Sequence, residues 1–240
     1  MTEAVQRLSV FFPAYDEADN IVRTVQRAVA ILEKLALRDY EIIIIDDGSY
    51  DETGKLADEL AAKNPKIRVV HHARNRGYGA ALVSGFEAAR YDWVVFTDSD
   101  GQFDFAEIDR FWPLTEQHDA VLGYRLRRQD NVVRRLNAWA WGSLMKYNFG
   151  FQVRDIDCAF KLIKRGNLKH IWPLASTGAF ISTELIVKLN QSGARIAEVG
   201  VTHYPRTVGQ STGANLAVIR KAFIEMRQLR RELKIQPQRS

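Results

Sequence analysis

The amino-acid sequence predicts an α/β protein with a mostly parallel central sheet and helices on both faces of that sheet. Short apolar runs alternate with segments of helical periodicity through the first half of the 240 residues, as in strand–helix–strand units. Residues 41–47, EIIIIDD, are almost continuously β-branched and apolar, which indicates a strand buried on both faces. Apolar residues make up 46% of the chain and charged residues 26%, so the composition is that of a globular protein with a proper core.

The predicted elements of the first half follow one another at regular spacing. Strands are predicted at 8–15, 41–47, 66–72 and 93–98, and helices at 17–37, 51–63 and 77–91. In the first helix, Ile21, Val25 and Leu32 recur on one face, which is the spacing of a helix that packs on a sheet. The second helix opens with acidic residues, which suit the positive end of a helix dipole.

The second half of the chain is less regular. Residues 118–125 predict a fifth strand, 131–149 a helix, and the segments 153–165 and 194–206 further short strands. Because neither a fixed-period repeat nor a low-complexity linker is present, we predict one domain over 1–212. Residues 213–240 are predicted to form a basic amphipathic helix and tail. Two alternatives remain for this helix: its apolar stripe packs on the domain, or it lies on an anionic bilayer.

Composition excludes several classes of protein. Cys158 is the single cysteine, so no disulfide can form within the chain, which suits a reducing compartment. We find neither a secretory signal pattern nor a run of eighteen apolar residues, and we expect a cytoplasmic protein without a membrane-spanning helix. The net charge of +5 favours anionic partners. Nucleic acid is not among those we expect, because the basic residues lack the interleaved aromatic residues of a stacking platform.

Polar clusters follow each of the four predicted parallel strands. They begin at Pro13, Asp46, Arg74 and Asp98. Ligands of such folds bind outside the carboxyl ends of the strands, and these ends lie along one edge of the sheet. One Asp-Gly turn is ordinary turn chemistry, but four clusters at one edge predict a binding site.

The stretch FTDSDGQF, residues 96–103, places two carboxylates at the end of the fourth strand. Residues two apart in a strand point to the same side, so Asp98 and Asp100 face one spot. Two carboxylates about 4 Å apart repel each other without a counter-charge. A divalent cation removes that repulsion, and Mg²⁺ typically combines one or two carboxylates with substrate phosphates. Gln102 could add an amide oxygen or a hydrogen bond.

The order of the motifs resembles a known family. FFPAYDEADNI, IIIIDDGSYDET, HHARNRGYGAAL, FTDSDGQF and VRDIDCAFKLIKR are similar, in sequence and spacing, to family 2 glycosyltransferases with the GT-A fold. They most resemble the branch that includes dolichyl-phosphate mannose synthase and bacterial polyprenyl-phosphate sugar transferases. The resemblance covers about residues 7–210. It implies a nucleotide-diphospho-sugar transferase with a mostly parallel sheet.

The resemblance also implies roles on the donor side. Asp98, Asp100 and Gln102 match the family's metal-binding segment, which implies Mg²⁺ or Mn²⁺. Other positions match segments that border the nucleoside, contact its base or ribose, lie beneath the nucleotide or reach the diphosphate. These donor-side positions are Pro13, Tyr15, Glu17, Asp47, Gly77, Gly79, Asp98 and Arg206. Glycines at a helix start let the backbone come close to an anion; a simple helix-entry turn is the alternative.

On the acceptor side, Arg125 matches the family's G-x-R, and Arg134 or Arg135 matches an arginine that meets the acceptor phosphate. A guanidinium fork suits phosphate oxygens. Asp155 matches the family aspartate of the VRDIDCAFK segment, and Asp157 is additional; a carboxylate here could orient the acceptor or take a proton. The resemblance thus implies candidate catalytic residues and candidate residues for the acceptor phosphate. The first are Asp100, Arg125, Asp155 and Asp157, and the second are Arg125, Arg134 and Arg135.

Glu184 is another candidate base, although it could instead cap a helix or pair with an arginine. Leu185 follows it where hydroxyl-acceptor relatives carry an aspartate, which favours a phosphate acceptor. The expected activity is therefore metal-dependent, inverting transfer of a hexose from a GDP-mannose or UDP-glucose type of donor to a polyprenyl phosphate, at the cytoplasmic face of a membrane. The alternatives are a transferase that acts on a sugar hydroxyl and a non-catalytic nucleotide-sugar binding module.

Overall fold

The computed structural model describes residues 7–126, 132–205 and 216–233, and side chains are described for all of these except 132–139 and 216–217. The strands are β1 Leu8–Ala14, β2 Tyr40–Asp46, β3 Ile67–His71, β4 Trp93–Phe96, β5 Ala120–Arg125, β6 Lys161–Lys164 and β7 Ile196–Val201. The helices are α1 Ala18–Leu32, α2 Thr53–Lys63, α3 Tyr78–Ala88, α4 Ile108–Phe111, α5 Val132–Phe149, α6 Arg165–Ile171, α7 Ile181–Gln191 and α8 Leu216–Glu232.

The seven strands form one sheet in the order β3-β2-β1-β4-β6-β5-β7. All neighbouring strands are parallel except β6, which runs antiparallel to both β4 and β5. The predicted α/β class and mostly parallel sheet are therefore confirmed. The sequence predicted a short strand within 153–165, and the structure adds that this strand runs antiparallel to both of its neighbours.

Helices cover both faces of the sheet. On one face, Ile21 and Val25 of α1 and Ala57 of α2 pack on the strands, and all three side chains are fully buried. On the other face, Leu82 of α3 and Leu185 of α7 are fully buried against it. Burial of a valine, leucine or isoleucine side chain of this kind contributes about 1.5–3 kcal/mol through removal from water. The two faces together explain why β2 has no polar alternation.

Helix α1 ends at Leu32, five residues before the predicted end. Its apolar spacing is correct up to that point, where the chain leaves the sheet and turns back toward β2. The other boundaries of the first half lie within two residues of those predicted, except that α3 ends at Ala88, three residues early, because Arg90 and Tyr91 turn to donate backbone hydrogen bonds to Ser9.

The C-terminal helix α8 packs on the domain through part of its surface. Met226 and Leu229 are buried in a cluster that includes Met145 of α5 and Phe180 beside α7. Other apolar side chains of the helix are exposed: Ile219, Phe223 and Ile224. Packing, one of the two predicted alternatives, is thus found, while membrane contact and a separate segment at 213–240 stay predictions. Within the described ranges, every helix is too short or too polar to span a bilayer.

Candidate active site

The loop after β4 holds two carboxylates on either side of an anchored serine. Ser99 is buried, and its Oγ donates to the carbonyl oxygen of Pro13 at 2.8 Å. Its own carbonyl oxygen accepts from Thr24 Oγ1 of α1 at 3.0 Å. Because Ser99 is fixed between β1 and α1, Asp98 and Asp100 are held beside each other at the carboxyl edge of the sheet. The structure therefore brings the predicted acidic pair together.

The electrostatics of the pair fit a divalent cation. The pKa of Asp98 is raised from 3.8 to about 7, because burial disfavours its charge and Asp100 repels it. These effects outweigh the Tyr78 hydroxyl, which donates to Asp98 Oδ1 at 3.1 Å. Two hard carboxylate donors that repel each other are the ligands that Mg²⁺ and Mn²⁺ prefer. Tyr78 itself was not predicted as a site residue.

Gln102 connects the acidic loop to the segment that follows β7. Its Nε2 donates to the carbonyl oxygen of Tyr204 at 2.9 Å, and Tyr204 N donates to the carbonyl oxygen of Gln102 at 2.8 Å. Phe103 and His203 pair beside them, with ring centroids 5.1 Å apart. The amide nitrogen of Gln102 is thereby used, and its amide oxygen is the atom that a metal role, still a prediction, would require.

The turns after β1 and β2 are joined by reciprocal hydrogen bonds. Asp16 N donates to Ser49 Oγ at 3.1 Å, and Tyr50 N donates to Asp16 Oδ1 at 2.8 Å. Asp16 has a φ of 52°, a left-handed conformation that costs a non-glycine residue energy. Glu17 N donates to Thr53 Oγ1 at 2.8 Å. The two turns therefore form one rigid rim at the carboxyl edge.

Two of the predicted nucleoside-bordering residues differ sharply in exposure on that rim. Tyr15 is 38% exposed and meets the ring of Tyr50 edge to face, at 6.4 Å between centroids. Glu17 is buried, and Asn20 Nδ2 donates to its Oε2 at 2.8 Å. The ring of Tyr15 is thus accessible to solvent, whereas Glu17 is buried and contacts Asn20. Their nucleoside contacts, and that of Pro13, stay predictions.

Asp47 organises the chain that leads into α3. Its Oδ1 accepts from His72 Nδ1 at 2.5 Å and from Arg76 N at 2.9 Å, while Oδ2 accepts from Gly77 N at 2.8 Å. His72 Nε2 in turn pairs with Ser84 Oγ at 2.8 Å. This buried carboxylate therefore fixes the loop over which the donor is expected to lie, and its predicted contact with base or ribose stays untested.

The two glycines at the start of α3 let protein backbone come close. Gly77 has a φ of 96°, and a Cβ there would lie 2.5 Å from the carbonyl oxygen of Thr177. A Cβ on Gly79 would overlap the carbonyl oxygen of Ser176, and Gly79 N donates to Thr177 O at 3.0 Å. Because both residues are glycines, the backbone of segment 175–178 can pack directly against the start of α3. The predicted position beneath a nucleotide stays a prediction.

Two carboxylates hold segment 175–178. Glu184 accepts from Ala175 N at 2.9 Å and Ser176 N at 2.8 Å, and pairs with Lys188 Nζ at 2.9 Å. Burial raises the pKa of Glu184, but these donors outweigh it, so the pKa lies below its usual value. Glu225 of α8 accepts from Thr177 N at 2.9 Å. Among the described residues, Glu184 therefore pairs with a lysine and holds two backbone amides of a loop, which differs from the predicted alternatives of a helix cap or an arginine partner.

The acceptor-side residues are only partly described. Arg125 and Asp155 form a two-pronged ion pair, with Nε to Oδ2 at 2.6 Å and Nη2 to Oδ1 at 2.8 Å. Asp157 follows in the same loop and is exposed. Two further predictions fall where the structure describes no side chain or no residue: Arg134 and Arg135 on α5, and Arg206 after β7.

Lys161 is a site-flanking residue that the sequence did not reveal. It is fully buried on β6, and its Nζ donates to the carbonyl oxygen of Ile156 at 3.1 Å and to that of Cys158. Nζ also lies 5.8 Å from the ring centroid of Phe96. Burial lowers the pKa of its ammonium group. In the sequence FKLIK, residues 160–164, the alternation of apolar and polar side chains does not show that Lys161 is buried and Lys164 exposed.

A family model places the chain among known proteins. The model described as glycosyl transferase family 2 matches residues 9–172, which include β1, β2 and the acidic loop. The chain belongs to glycosyl transferase family 2. The predicted resemblance is therefore confirmed, and the motifs that carried it lie along one edge of the sheet.

Several curated relatives in this family are named as transferases. Glycosyltransferase AglD of Haloferax volcanii is 33% identical over 213 residues, which is 85% of this chain and 34% of the relative. An undecaprenyl-phosphate 4-deoxy-4-formamido-L-arabinose transferase of Edwardsiella ictaluri is 30% identical over 87% of this chain and 63% of the relative. An undecaprenyl-phosphate mannosyltransferase of Micrococcus luteus is 26% identical over 85% and 86%. The chain thus spans about a third of the length of AglD and nearly two thirds of the length of the Edwardsiella ictaluri transferase.

Solved structures share the fold of this family 2 chain. Mannosyl-3-phosphoglycerate synthase from Rubrobacter xylanophilus superposes with a TM-score of 0.72 at 19% identity, over 98% of this chain and 77% of the other. Glucosyl-3-phosphoglycerate synthase from Mycobacterium tuberculosis gives 0.70 at 22% identity, over 93% and 80%. The latter enzyme has also been crystallised with Mn²⁺ and UDP-glucose. These neighbours confirm the predicted GT-A fold.

Proposed function

We propose that this chain catalyses metal-dependent, inverting transfer of a hexose from a nucleotide diphosphate sugar to a polyprenyl phosphate. The observation that carries the proposal is the acidic pair: Asp98 is buried beside Asp100, and burial together with the charge of Asp100 raises the pKa of Asp98 to about 7. A divalent cation bound by the pair would offset both effects. The relatives named for undecaprenyl phosphate support the acceptor class.

On the donor side, Asp98 and Asp100 would hold Mg²⁺ or Mn²⁺, with the amide oxygen of Gln102 within reach of the same loop. The metal, when bound there, supplies positive charge that stabilises the leaving diphosphate. Tyr15 offers an exposed ring on the rim next to the acidic loop, where a nucleobase can stack. Asp47 keeps the loop before α3 in place by accepting two of its backbone amides.

On the acceptor side, the contacts of two of the three predicted bases favour a phosphate. A sugar hydroxyl requires a general base, but Glu184 is committed to segment 175–178 and Asp155 to Arg125, which leaves only Asp157 among the predicted candidates. A phosphate monoester has a second pKa near about 6 and needs little help to become a nucleophile. Arg125 is the predicted first cation for that phosphate, and Arg134 or Arg135 is the predicted second. Attack from the side opposite the diphosphate inverts the anomeric carbon.

A transfer assay tests the proposal directly. Purified protein would be incubated with radiolabelled GDP-mannose or UDP-glucose, Mn²⁺ and either a polyprenyl phosphate or a set of sugar acceptors. We expect label in the prenyl phosphate product only, and its loss with chelator. Label in a sugar acceptor would instead establish the hydroxyl-acceptor alternative. Binding of nucleotide sugar without turnover of any acceptor would establish the non-catalytic alternative.

A thermal-shift panel identifies the donor. GDP-, UDP- and dTDP-sugars would be compared with and without Mn²⁺, because a ligand that binds only the folded state stabilises it by mass action. We expect one nucleotide to give the largest shift, and only with metal. Equal shifts with and without Mn²⁺ would contradict a metal bridge between protein and diphosphate.

We also propose that α8 touches a bilayer near the acceptor. Ile219, Phe223 and Ile224 are exposed apolar side chains on this helix, and Arg220 and Lys221 are exposed between them. Such a combination suits the interface of an anionic membrane. Sedimentation with phosphatidylglycerol vesicles should fall when Ile219 and Ile224 are both changed to glutamate. Unchanged sedimentation would remove this helix from membrane contact.

A further inference from the structure

The ion pair between Arg125 and Asp155 joins two separate parts of the acceptor side. Arg125 is the last residue of β5, and Asp155 lies in the loop between α5 and β6. Besides the two guanidinium contacts, Arg125 N lies 3.4 Å from Asp155 Oδ2. The two side chains are only 11% and 7% exposed. Burial lowers the pKa of Arg125, but Asp155 outweighs it, so the pKa lies above its usual value.

Asp155 uses its whole carboxylate in this arrangement. Oδ2 accepts from Arg125 Nε and faces Arg125 N, while Oδ1 accepts from Arg125 Nη2 and from Asp157 N at 3.2 Å. A carboxylate offers about four acceptor positions, and four N–H groups point at these. A proton could reach Asp155 only after one of these contacts broke. The carboxylate is therefore placed to hold a cation, and is poorly placed to act as a base.

The guanidinium is held along one edge. Arginine carries five N–H donors in a rigid plane, and Asp155 engages Nε and one donor of Nη2. Among the described residues, the structure gives Nη1 of Arg125 no hydrogen-bond acceptor. The edge that remains is the one suited to a second, two-pronged contact with an oxyanion.

The loop that carries Asp155 is fixed from the opposite side as well. Lys161 Nζ donates to the carbonyl oxygens of Ile156 and Cys158, the residues on either side of Asp157. The position of the carboxylate is thus determined by β6, and the position of the guanidinium is determined by the carboxylate.

We propose that Asp155 is a positioning residue, which holds Arg125 by its Nε–Nη2 edge so that the Nη1 edge receives the acceptor phosphate. The inference rests on the proposed function, in which the acceptor is a phosphate monoester. Asp155 then contributes to acceptor binding through Arg125 and takes no proton during transfer.

The chain contains a second two-pronged Arg–Asp ion pair, more exposed than the first, that serves as control. Arg195 and Asp119 repeat the arrangement, with Arg195 N and Nε to Oδ2 at 3.0 and 3.1 Å and Nη2 to Oδ1 at 3.5 Å. They lie next to the amino-terminal ends of β5 and β7, at the opposite edge of the sheet from Arg125. Asp119→Asn therefore removes the same kind of charge outside the site.

Steady-state kinetics with a polyprenyl phosphate and saturating donor test the inference. Asp155→Asn should raise the KM for the acceptor by about ten- to hundredfold, because a hydrogen-bonded charge is lost from the arginine. The donor KM, kcat and the pH profile of kcat should stay close to those of the unchanged protein. Asp119→Asn should leave all of these parameters unchanged.

The opposite pattern would overturn the inference. If Asp155→Asn lowered kcat, left the acceptor KM unchanged and abolished the acidic limb of the kcat profile, Asp155 would be the base. Melting curves check that the variant folds. If Asp155→Asn does not fold, Asp155→Glu takes its place. This variant should raise the acceptor KM, while kcat should stay close to that of the unchanged protein.

A double-mutant cycle adds an independent measurement. Lysine cannot reproduce the fork, so in an Arg125→Lys background Asp155→Asn should change the acceptor KM by less than about twofold. A full and independent effect in that background would contradict coupling through Arg125. Transfer to a sugar hydroxyl by the unchanged protein would overturn the proposed acceptor, and this inference with it; transfer to prenyl phosphate with uncoupled variants would overturn the inference alone.

Discussion

The chain contains two carboxylate sites at one edge of its sheet, and they differ in the origin of the counter-charge. Asp155 receives its cation from the protein, through the two-pronged contact with Arg125. Asp98 faces Asp100, and the charges of Lys161 and Arg125 lower its pKa too weakly to offset burial and that repulsion. One site is electrostatically complete in the folded chain, and the other is not.

The source of the counter-charge helps to distinguish a carboxylate that positions another residue from one that is suited to bind a ligand. A buried ion pair that the protein completes adds specific geometry and little free energy, which suits a residue that positions another. A buried carboxylate pair without a counter-charge costs stability, and a bound cation would remove that cost. The pKa of a group and the source of its partner are therefore more informative about role than the residue type alone.

Removal of one acidic ligand should have the largest effect. We expect Asp100→Ala to lower transfer at least about 10³-fold, since the charge that stabilises the leaving diphosphate would be lost. Chelator should lower transfer of the unchanged protein as strongly. Asp104→Asn is the control, because Asp104 is an exposed carboxylate of the same region that accepts from Ala106 N. Near-normal turnover of Asp100→Ala in chelator would refute the metal site.

The buried Lys161 should matter chiefly for the stability of the fold. Lys161→Ala should lower the free energy of unfolding by about 3 kcal/mol, through an unfilled volume and two carbonyl oxygens without a donor. Lys161→Met should recover part of this loss. Lys164→Ala, on the exposed end of the same strand, should stay within about 0.5 kcal/mol of the unchanged protein. Urea denaturation measures all three, and equal effects at both lysines would contradict the buried contact.

Tyr78 offers a finer test of the incomplete site. Tyr78→Phe should weaken Mn²⁺ binding about tenfold, because groups that orient a metal ligand typically contribute to affinity on that order. Calorimetric titration of Mn²⁺ with nucleotide diphosphate present measures this. Tyr91→Phe is a matched control, since Tyr91 donates its hydroxyl to Asp39 Oδ2 at 2.7 Å away from the acidic loop. Unchanged affinity in Tyr78→Phe would remove Tyr78 from the site.

The smallest expected effect is a pH dependence of stability. The pKa of Asp98 is raised from 3.8 to about 7, so between these values the folded state binds more protons than the unfolded state. Metal-free stability should therefore fall as pH rises through that window. Asp98→Asn should melt a few degrees (about 2–5 °C) higher than the unchanged protein at pH 8 in chelator, and Mn²⁺ should narrow or reverse the difference. Identical melting curves would contradict the repulsion.

The positions of the polar clusters at the carboxyl edge could be predicted from the sequence, because each cluster is recognisable from its own short segment. Each polar cluster follows its own strand, and the parallel order of β1 to β4 then places the clusters at one edge. Hydrophobic periodicity supplied the strands, and D-x-D spacing supplied the acidic pair. The contacts between Asp16 and Ser49 and between Asp47 and Gly77 are consequences of that order.

The acceptor side was less predictable because its contacts join distant positions. Arg125 and Asp155 are thirty positions apart, and nothing in either local pattern indicates the partner. Glu184 in ISTELI has the same sequence appearance whether it serves as a base or holds backbone amides. Lys161 is hidden for a similar reason, since only the antiparallel pairing of β6 places it in the interior.

Glu225 connects helix α8 to segment 175–178, which contacts the start of α3. Its Oε1 accepts from Thr177 N and Gly178 N, and the carbonyl oxygen of Thr177 accepts from Gly79 N at the start of α3. Replacement of α8 by another helix therefore has a requirement besides the fit of its apolar side chains. A replacement helix without an acidic side chain at position 225 would leave the amides of Thr177 and Gly178 without this acceptor. Segment 175–178, which contacts the start of α3, would then be held less firmly.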